Sequence, residues 1–240
     1  MSVDPLRPST GRPAGASGVR DVAAERDVDH RPVARIAIAA IEHNLRRARE
    51  AGFLAVDREV LNADGWGHGT DLVAGAVASS GLGWAPVGEK EERGVLGGSG
   101  VFGLPGSSAR PVMSLVGRVI ATKSLRAGEG VSYGYTFRAA TDTTAALVTG
   151  GYGQGVIREL GSRVTVRVAG RDALVIGRVA MDVCVIDLGA DGVVAPGTPV
   201  AFFGDPDRGE PSLAAWTSAT DLGADEIVSI VGVRARRETT

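Results

Sequence analysis

Residues 128–135 read Gly128-Glu129-Gly130-Val131-Ser132-Tyr133-Gly134-Tyr135 and lie between two runs of strand-like sequence. Glycines on both sides let the backbone turn without a Cβ clash and leave the intervening tyrosine uncovered. The stretch therefore predicts a turn that exposes the phenol of Tyr133. Because a phenol has a reference pKa of about 10, it needs a nearby positive charge or acceptor before it can remove protons at neutral pH.

From residue 107 onward the apolar residues alternate with period two, which is typical of antiparallel strands. Val164, Val166 and Val168 share one face, and Ala169-Gly170-Arg171-Asp172 predicts a hairpin to the next strand. The predicted strands are Val112 to Leu125, Thr143 to Thr149, Arg163 to Val168, Ala173 to Ala180, Val183 to Leu188, Pro199 to Phe203 and Glu226 to Arg234. A short helix is predicted after a Ser212 cap, through Trp216, at one end of this β structure.

The preceding part of the chain alternates short strands and helices. The pattern predicts a strand from Val33 to Ile38, a helix through Ile41, Leu45 and Ala48, a strand from Arg58 to Asn62, a helix from Thr70 to Ser80, a strand from Leu82 to Val87 and a charged helix from Glu89 to Leu96. This alternation indicates a parallel α/β layer, but a complete (β/α)8 barrel needs about 200 residues or more. We therefore expect an incomplete layer that requires a partner surface.

These patterns predict an α+β fold in three parts. Residues 1–30, rich in proline and charge, are predicted to be a disordered leader; residues 31–106 are the truncated α/β remnant; residues 107–240 are the β domain.

Composition excludes several classes of function. The net charge of -2 gives no broad basic field for nucleic acid or an anionic membrane, and no apolar run reaches membrane-spanning length. Cys184 is the single cysteine and has no partner for an internal disulfide, which favours the cytoplasm. The only lysines are Lys90 and Lys123. We predict no metal site, since His68 has no second His or Cys at metal-ligand spacing.

Four motifs in order resemble the alanine racemase family. They are Pro111-Val112-Met113-Ser114-Leu115, Gly130-Val131-Ser132-Tyr133-Gly134, Gly150-Gly151-Tyr152-Gly153-Gln154-Gly155 and Gly177-Arg178-Val179-Ala180-Met181-Asp182. Upstream, Asn62-Ala63-Asp64-Gly65-Trp66-Gly67-His68-Gly69 is similar to the family's cofactor-lysine motif, and Gly100-Val101-Phe102-Gly103 to the segment that closes its barrel. Most of the barrel between these two segments is missing.

The resemblance implies a fold and a chemistry. Such racemases interconvert L- and D-alanine with pyridoxal phosphate (PLP) bound to a barrel lysine, and they place a tyrosine base from the β domain of the opposite subunit in the site. Carried over to this chain, Tyr133 would be that base, Tyr152 and Met181 would line the substrate side, and Asp182 would support the turn of Met181. Trp66 stands where the family has a phosphate-contacting tyrosine.

The departures from the family concern the cofactor. Asn62 occupies the lysine position and its amide forms no Schiff base; Val233 replaces a second phosphate-contacting tyrosine. We therefore expect that the chain alone is not a competent racemase.

Plainer roles stay open for each residue: Tyr133 as a turn tyrosine, Tyr152 at a strand end, Met181 in a core, Asp182 ordering a turn. Three functions remain: a PLP-dependent alanine racemase acting as a homodimer, a paralogue that lends Tyr133 to a full-length racemase in a heterodimer, or a purely interacting domain.

Overall fold

The computed structural model describes residues 31–86 and 94–240, apart from the side chain of Tyr133. Within them the strands are β1 Val33–Ile36, β2 Ala55–Val56, β3 Gly83–Trp84, β4 Val95–Leu96, β5 Met113–Leu125, β6 Gly130–Val131, β7 Phe137–Arg138, β8 Thr143–Thr149, β9 Thr165–Val168, β10 Arg171–Ile176, β11 Val183–Asp187, β12 Pro199–Phe203 and β13 Arg236–Thr239. The helices are α1 Ile38–Glu50, α2 Asn62–Trp66, α3 Thr70–Ser80, α4 Gly98–Phe102, α5 Ala214–Ala219 and α6 Ala224–Arg234. The predicted leader 1–30 lies outside the described residues.

The main sheet runs in the order β12-β9-β10-β11-β8-β5-β1-β13, and β12 also pairs with β5. The second pairing closes β5, β8, β11, β10, β9 and β12 into a ring of antiparallel strands. The predicted α+β class with an antiparallel β domain is confirmed.

Strand alternation places the core inside this ring. Val164, Val166 and Val168 are buried, whereas Thr165 is exposed and Arg167 half-buried, as the period of two predicts. The hairpin between β9 and β10 is also found, with Val168 opposite Arg171. Its two turn residues, Ala169 and Gly170, both have positive φ, which matches the twist of the flanking strands.

The α/β remnant is smaller than predicted. β2, β3 and β4 form a parallel sheet of two-residue strands with β2 in the centre. The predicted strand Arg58 to Asn62 is wrong: residues Arg58–Leu61 form a 3-10 turn, because the Asp57 carboxylate accepts a hydrogen bond from Glu59 N at 2.9 Å. The predicted strand Leu82 to Val87 shortens to β3, and its end lies outside the described residues.

The predicted helix Glu89 to Leu96 falls largely outside the described residues, but its described end, Val95–Leu96, is strand β4 rather than helix. Gly100 to Gly103, which resembled a barrel-closing segment, lies at the end of helix α4. β1 is also not part of the parallel layer, since it pairs antiparallel with β5 and parallel with β13.

The predicted last strand, Glu226 to Arg234, is helix α6. Its buried residues are Ile227, Val228, Val231 and Gly232, which recur at helical spacing. The Glu226 carboxylate accepts a hydrogen bond from Gly223 N at 2.7 Å and caps the first turn. The prediction of a strand is wrong because a run of β-branched residues is compatible with a buried helix as well as with a strand.

The predicted helix after Ser212 is α5. Ser212 Oγ accepts a hydrogen bond from Ala214 N at 3.2 Å, and Trp216 is fully buried against Phe202 and Phe203 with ring centroids 6.5 and 5.0 Å away. The helix therefore packs on β12.

Residues 31–240 form one compact unit. Asn44 on α1 contributes to this unit: its buried amide donates to Val101 O and Arg110 O and accepts from Arg110 N, at 2.8 to 3.0 Å. A buried amide satisfied in this way fixes α1 against α4 and the start of β5. Within the described ranges, no helix is long and apolar enough to cross a membrane.

We predict that Gly232→Ala destabilises the fold. An added Cβ would lie 2.1 Å from the Gly67 carbonyl oxygen and 2.4 Å from Gly67 Cα. Because backbone must move to admit it, the free energy of unfolding should fall by about 1–3 kcal/mol, measured by denaturant unfolding. Gly75→Ala on α3 is the matched control, since its Cβ meets nothing within 4 Å; helix propensity should make it neutral or stabilising. Equal effects from the two variants would contradict the close approach of α6 to Gly67.

Candidate functional site

The turn that carries Tyr133 connects β6 and β7. Tyr133–Tyr135 forms a 3-10 turn, preceded by Ser132 at φ 64° and ψ 178°. This conformation is almost confined to glycine, and a serine there costs on the order of 1–3 kcal/mol. Ser132 Oγ donates a 2.6 Å hydrogen bond to Arg178 O, which offsets part of that cost. The side chain of Tyr133 lies outside the described part of the structure, so its exposure stays a prediction.

Residues 178–182, termed here the Arg178–Asp182 loop, receive hydrogen bonds from a second turn. Tyr152 N donates to Ala180 O at 2.9 Å, Gly153 N to Met181 O at 2.9 Å, and Gly150 N to Asp182 O at 3.1 Å. The structure therefore brings Tyr152, Met181 and Asp182 together. The Ser132 bond to Arg178 O attaches the backbone of the Tyr133 turn to the same loop.

At the end of this loop the side chains of Met181 and Asp182 are open to solvent. Met181 is 56% exposed, so it is not a core residue. Asp182 is exposed, and its Oδ1 accepts a hydrogen bond from Gln154 Nε2 at 3.4 Å. Gly151 packs so closely that an added Cβ would lie 2.1 Å from Met181 O. Hydrogen bonds and close packing thus fix the backbone of the loop, while the side chains of Met181 and Asp182 are exposed.

Sequence reasoning missed three arginines at this site. The Arg158 guanidinium lies over the Tyr152 ring at 5.3 Å, a cation–π distance, and Arg234 Nη1 donates to Tyr152 O at 3.1 Å. The main-chain carbonyl of Arg178 accepts the hydrogen bond from Ser132 Oγ. Arg158 is close to Tyr152 in sequence, so its proximity could have been considered from the sequence. Arg234 is 82 residues away on α6 and approaches Tyr152 only in the folded chain.

Asn62 and Trp66 contact a different set of residues. Asn62 is exposed and follows the 3-10 turn of residues 58–61. Trp66 is half-buried: its Nε1 donates to Glu59 O at 3.0 Å and its ring packs on Phe102, with centroids 5.5 Å apart. Ring atoms of Trp66 also occupy the space beside Gly98, where a Cβ would lie 2.3 Å from the indole.

The backbone between these two residues is left-handed. Ala63, Asp64, Gly65, Trp66 and Gly67 all have positive φ, from 49° to 78°. For a residue with a Cβ this costs roughly 1–2 kcal/mol, so the turn needs support from outside.

Support for the left-handed turn comes from Asp64. Its carboxylate accepts hydrogen bonds from Thr70 N at 3.0 Å and from Arg237 Nη1 at 2.6 Å. The bond from Thr70 N, followed by that from Arg237, lowers the pKa of the Asp64 carboxyl below its usual value. Thr70 is the first residue of α3, and Asp64 satisfies its backbone N–H.

The family described as "Alanine racemase, C-terminal domain" matches residues 112–239, a span that contains the ring of strands, the Tyr133 turn and the Arg178–Asp182 loop. The chain belongs to this family. The resemblance given by the sequence motifs is thereby confirmed.

Alanine racemases are also among its relatives in sequence. The enzyme of Thermobifida fusca is 42% identical over 142 residues, which is 59% of this chain and 38% of the relative. That of Streptomyces coelicolor is 38% identical over 167 residues, 70% of this chain and 39% of the relative. The chain spans about two fifths of the length of these relatives.

Solved alanine racemases share the fold. The structure from Streptomyces coelicolor A3(2) has a TM-score of 0.75 at 21% identity, covering 88% of this chain and 98% of that one. The structure from Bartonella henselae, solved with covalently bound pyridoxal phosphate, has a TM-score of 0.74 at 13% identity, covering 88% and 99%. Identities this low support the fold alone.

The residues that the resemblance assigns to the cofactor do not fit PLP. Asn62, the expected counterpart of the family's lysine, offers an exposed amide, and Trp66 already donates its only N–H to Glu59 O. Val233 is 70% exposed and carries no polar group. Lys123 is exposed on β5 opposite Ala145, while Lys90 lies outside the described residues. No described amine stands at the cofactor position.

His68 in the same motif is buried. Its ring stacks on Phe102 at 4.1 Å, and its Nδ1 donates to Gly65 O at 3.0 Å because a carbonyl only accepts. Its buried Nε2 has no partner among the described residues. Burial lowers the pKa of His68 from 6.5 to about 4.

We predict that this histidine makes the fold sensitive to acid. The pKa of His68 is lower in the folded than in the unfolded chain. The stability that neutral His68 contributes to the fold is therefore fully present above pH 6.5 and is lost as the pH falls from 6.5 to about 4. The free energy of unfolding should decrease by up to about 3 kcal/mol across that window, measured by urea unfolding. His68→Gln should flatten the slope, while His43→Gln, a half-buried site on α1, should keep most of it. An unchanged slope in His68→Gln would show that His68 is not the titrating group.

Proposed function

We propose that the chain is a member of the alanine racemase family that is inactive alone, pairs through its β domain with a full-length alanine racemase and lends Tyr133 to the partner's site. The proposal rests on one contrast. The Tyr133 turn and the Arg178–Asp182 loop are held together by short hydrogen bonds, whereas Asn62 holds an exposed amide in place of an amine.

An exposed apolar edge supports the pairing. Tyr135, Met181 and Val233 are 64%, 56% and 70% exposed. Tyr135 and Met181 lie on two segments joined by the hydrogen bond from Ser132 to Arg178 O. Val233 lies on α6, which bonds through Arg234 to Tyr152 O, and the Tyr152 turn in turn bonds to the Arg178–Asp182 loop. Large exposed apolar side chains grouped in this way are typical of a protein interface.

In this role Tyr133 would react and the surrounding residues would hold its turn. Ser132 ties the backbone of the Tyr133 turn to the Arg178–Asp182 loop, and the close packing of Gly151 on Met181 O fixes that loop against the Tyr152 turn. The partner would supply alanine binding and the cofactor.

Complementation tests the proposal. The chain would be co-expressed with a full-length alanine racemase whose own tyrosine base is changed to phenylalanine. We expect the two proteins to co-purify and alanine racemisation to return, because this chain supplies the missing phenol. Tyr133→Phe in this chain is the matched control and should leave co-purification intact while abolishing activity. Co-purification without activity would reduce the chain to an interaction domain, and no co-purification would contradict the pairing.

The interface makes a second prediction. Met181→Glu should weaken co-purification with the racemase by about tenfold or more, since it buries an unpaired charge in the core of an interface. Val193→Glu is the control, because Val193 is 91% exposed and lies between β11 and β12, away from the Arg178–Asp182 loop. Equal losses from both variants, measured by surface plasmon resonance, would argue against this edge.

A further inference from the structure

A groove lies where β1, β5 and the segment after β12 meet. It has a volume of about 510 Å³ and is lined by polar side chains of Arg35, Arg110, Ser114, Asp205, Arg208 and Glu210. Small-molecule sites commonly fall in the range of about 300–1,000 Å³. None of these residues belongs to the Tyr133 turn, the Arg178–Asp182 loop or the Asn62 motif.

Strand register explains why these residues meet. Arg35 on β1 is directly opposite Ser114 on β5, so the two side chains project from the same face. On the other edge of β5, Leu115 pairs with Phe203, and the chain then continues into residues 204–210. Residues distant in sequence thus approach the groove from neighbouring strands.

Three guanidinium groups in the groove lack a protein partner. Arg35, Arg110 and Arg208 come from three different segments, and their guanidinium groups make no hydrogen bond or ion pair to any residue that the structure describes. By contrast, Arg47, Arg167 and Arg237 each pair with a carboxylate elsewhere in the fold. The unpaired arginines lie beside carboxylates without binding them.

Those carboxylates are held by the backbone instead. Glu210 Oε2 accepts a hydrogen bond from Asp205 N at 2.8 Å, and Asp205 Oδ1 accepts one from Asp207 N at 3.0 Å. Gly204 makes this possible, since a Cβ there would lie 2.0 Å from Glu210 Oε2 and 2.7 Å from Ser114 Cβ. Each carboxylate keeps its second oxygen without a partner among the described residues.

We propose that this groove binds a zwitterion of amino-acid or dipeptide size. The carboxylate of the ligand would be recognised by Arg35, Arg110 and Arg208, which match its planar geometry. Its ammonium would be recognised by Asp205 and Glu210, whose orientation the backbone already fixes. A simple anion would gain from the arginines but would be repelled by the neighbouring carboxylates, so both charges of the ligand are required. This proposal does not depend on pairing with a racemase.

Isothermal titration of the full chain with L-alanyl-L-alanine tests the proposal. We expect saturable binding at one site. The N-acetyl and the C-terminal amide derivatives, which each lack one charge, should bind at least about tenfold more weakly. Arg208→Gln should weaken binding of the dipeptide but not of its amide, and Glu210→Gln, which keeps an oxygen to accept from Asp205 N, should weaken binding of the dipeptide but not of its N-acetyl form.

The control variant is Arg171→Gln, an exposed arginine on β10 outside the groove, which should bind the dipeptide like the unmodified chain. Arg35→Gln provides a second test of the carboxylate side should Arg208→Gln fold poorly. The proposal is overturned if the dipeptide shows no saturable binding, if both blocked derivatives bind as tightly as the dipeptide, or if inorganic phosphate binds as tightly.

Discussion

Main-chain hydrogen bonding of one long strand holds this fold together. β5 has 13 residues and pairs with β1 over its first part, with β8 over its second part and with β12 on its other edge. Irregularities in register at Val119/Ala121 of β5 and at Ala201/Phe203 of β12 let the strands bend and change partners. Through β5, the terminal strands β1 and β13 share one sheet with the ring, whereas β2, β3 and β4 form a separate sheet. The shared sheet is consistent with residues 31–240 forming one compact unit.

Helix α6 is the second element that the arrangement depends on. On one side Gly232 approaches Gly67 of the left-handed turn, and elsewhere along the helix Val231 and Arg234 pack beside Gly155 of the Tyr152 turn. The helix thus touches both the left-handed turn that follows Asn62 and the turn that carries Tyr152. Retention of strained conformations at Asp64 and Ser132 fits this picture, because each is supported by a hydrogen bond to a residue far away in sequence.

The sequence predicted those parts of the fold in which local pattern and burial agree. Val164 to Val168 alternates strictly and includes β9, and the glycine-rich stretch around Tyr133 forms a turn as expected. It failed at residues 226–234, where β-branched residues fit helix or strand and only the Glu226 cap and the contact with Gly67 favour the helix. The grouping of Arg35, Arg110, Asp205 and Glu210 was not predictable, because it follows from strand register rather than from any spacing along the chain.

The central claim is that the β half of a racemase site survives here without an amine to hold its cofactor. The most direct measurement is reduction of the freshly purified chain with borohydride, without added PLP, followed by intact-mass and peptide analysis. The account predicts no absorbance near about 420 nm, where an internal PLP aldimine is expected, and an unchanged mass after reduction. A yellow protein that acquires one pyridoxyl group per chain on Lys90 or Lys123 would contradict it.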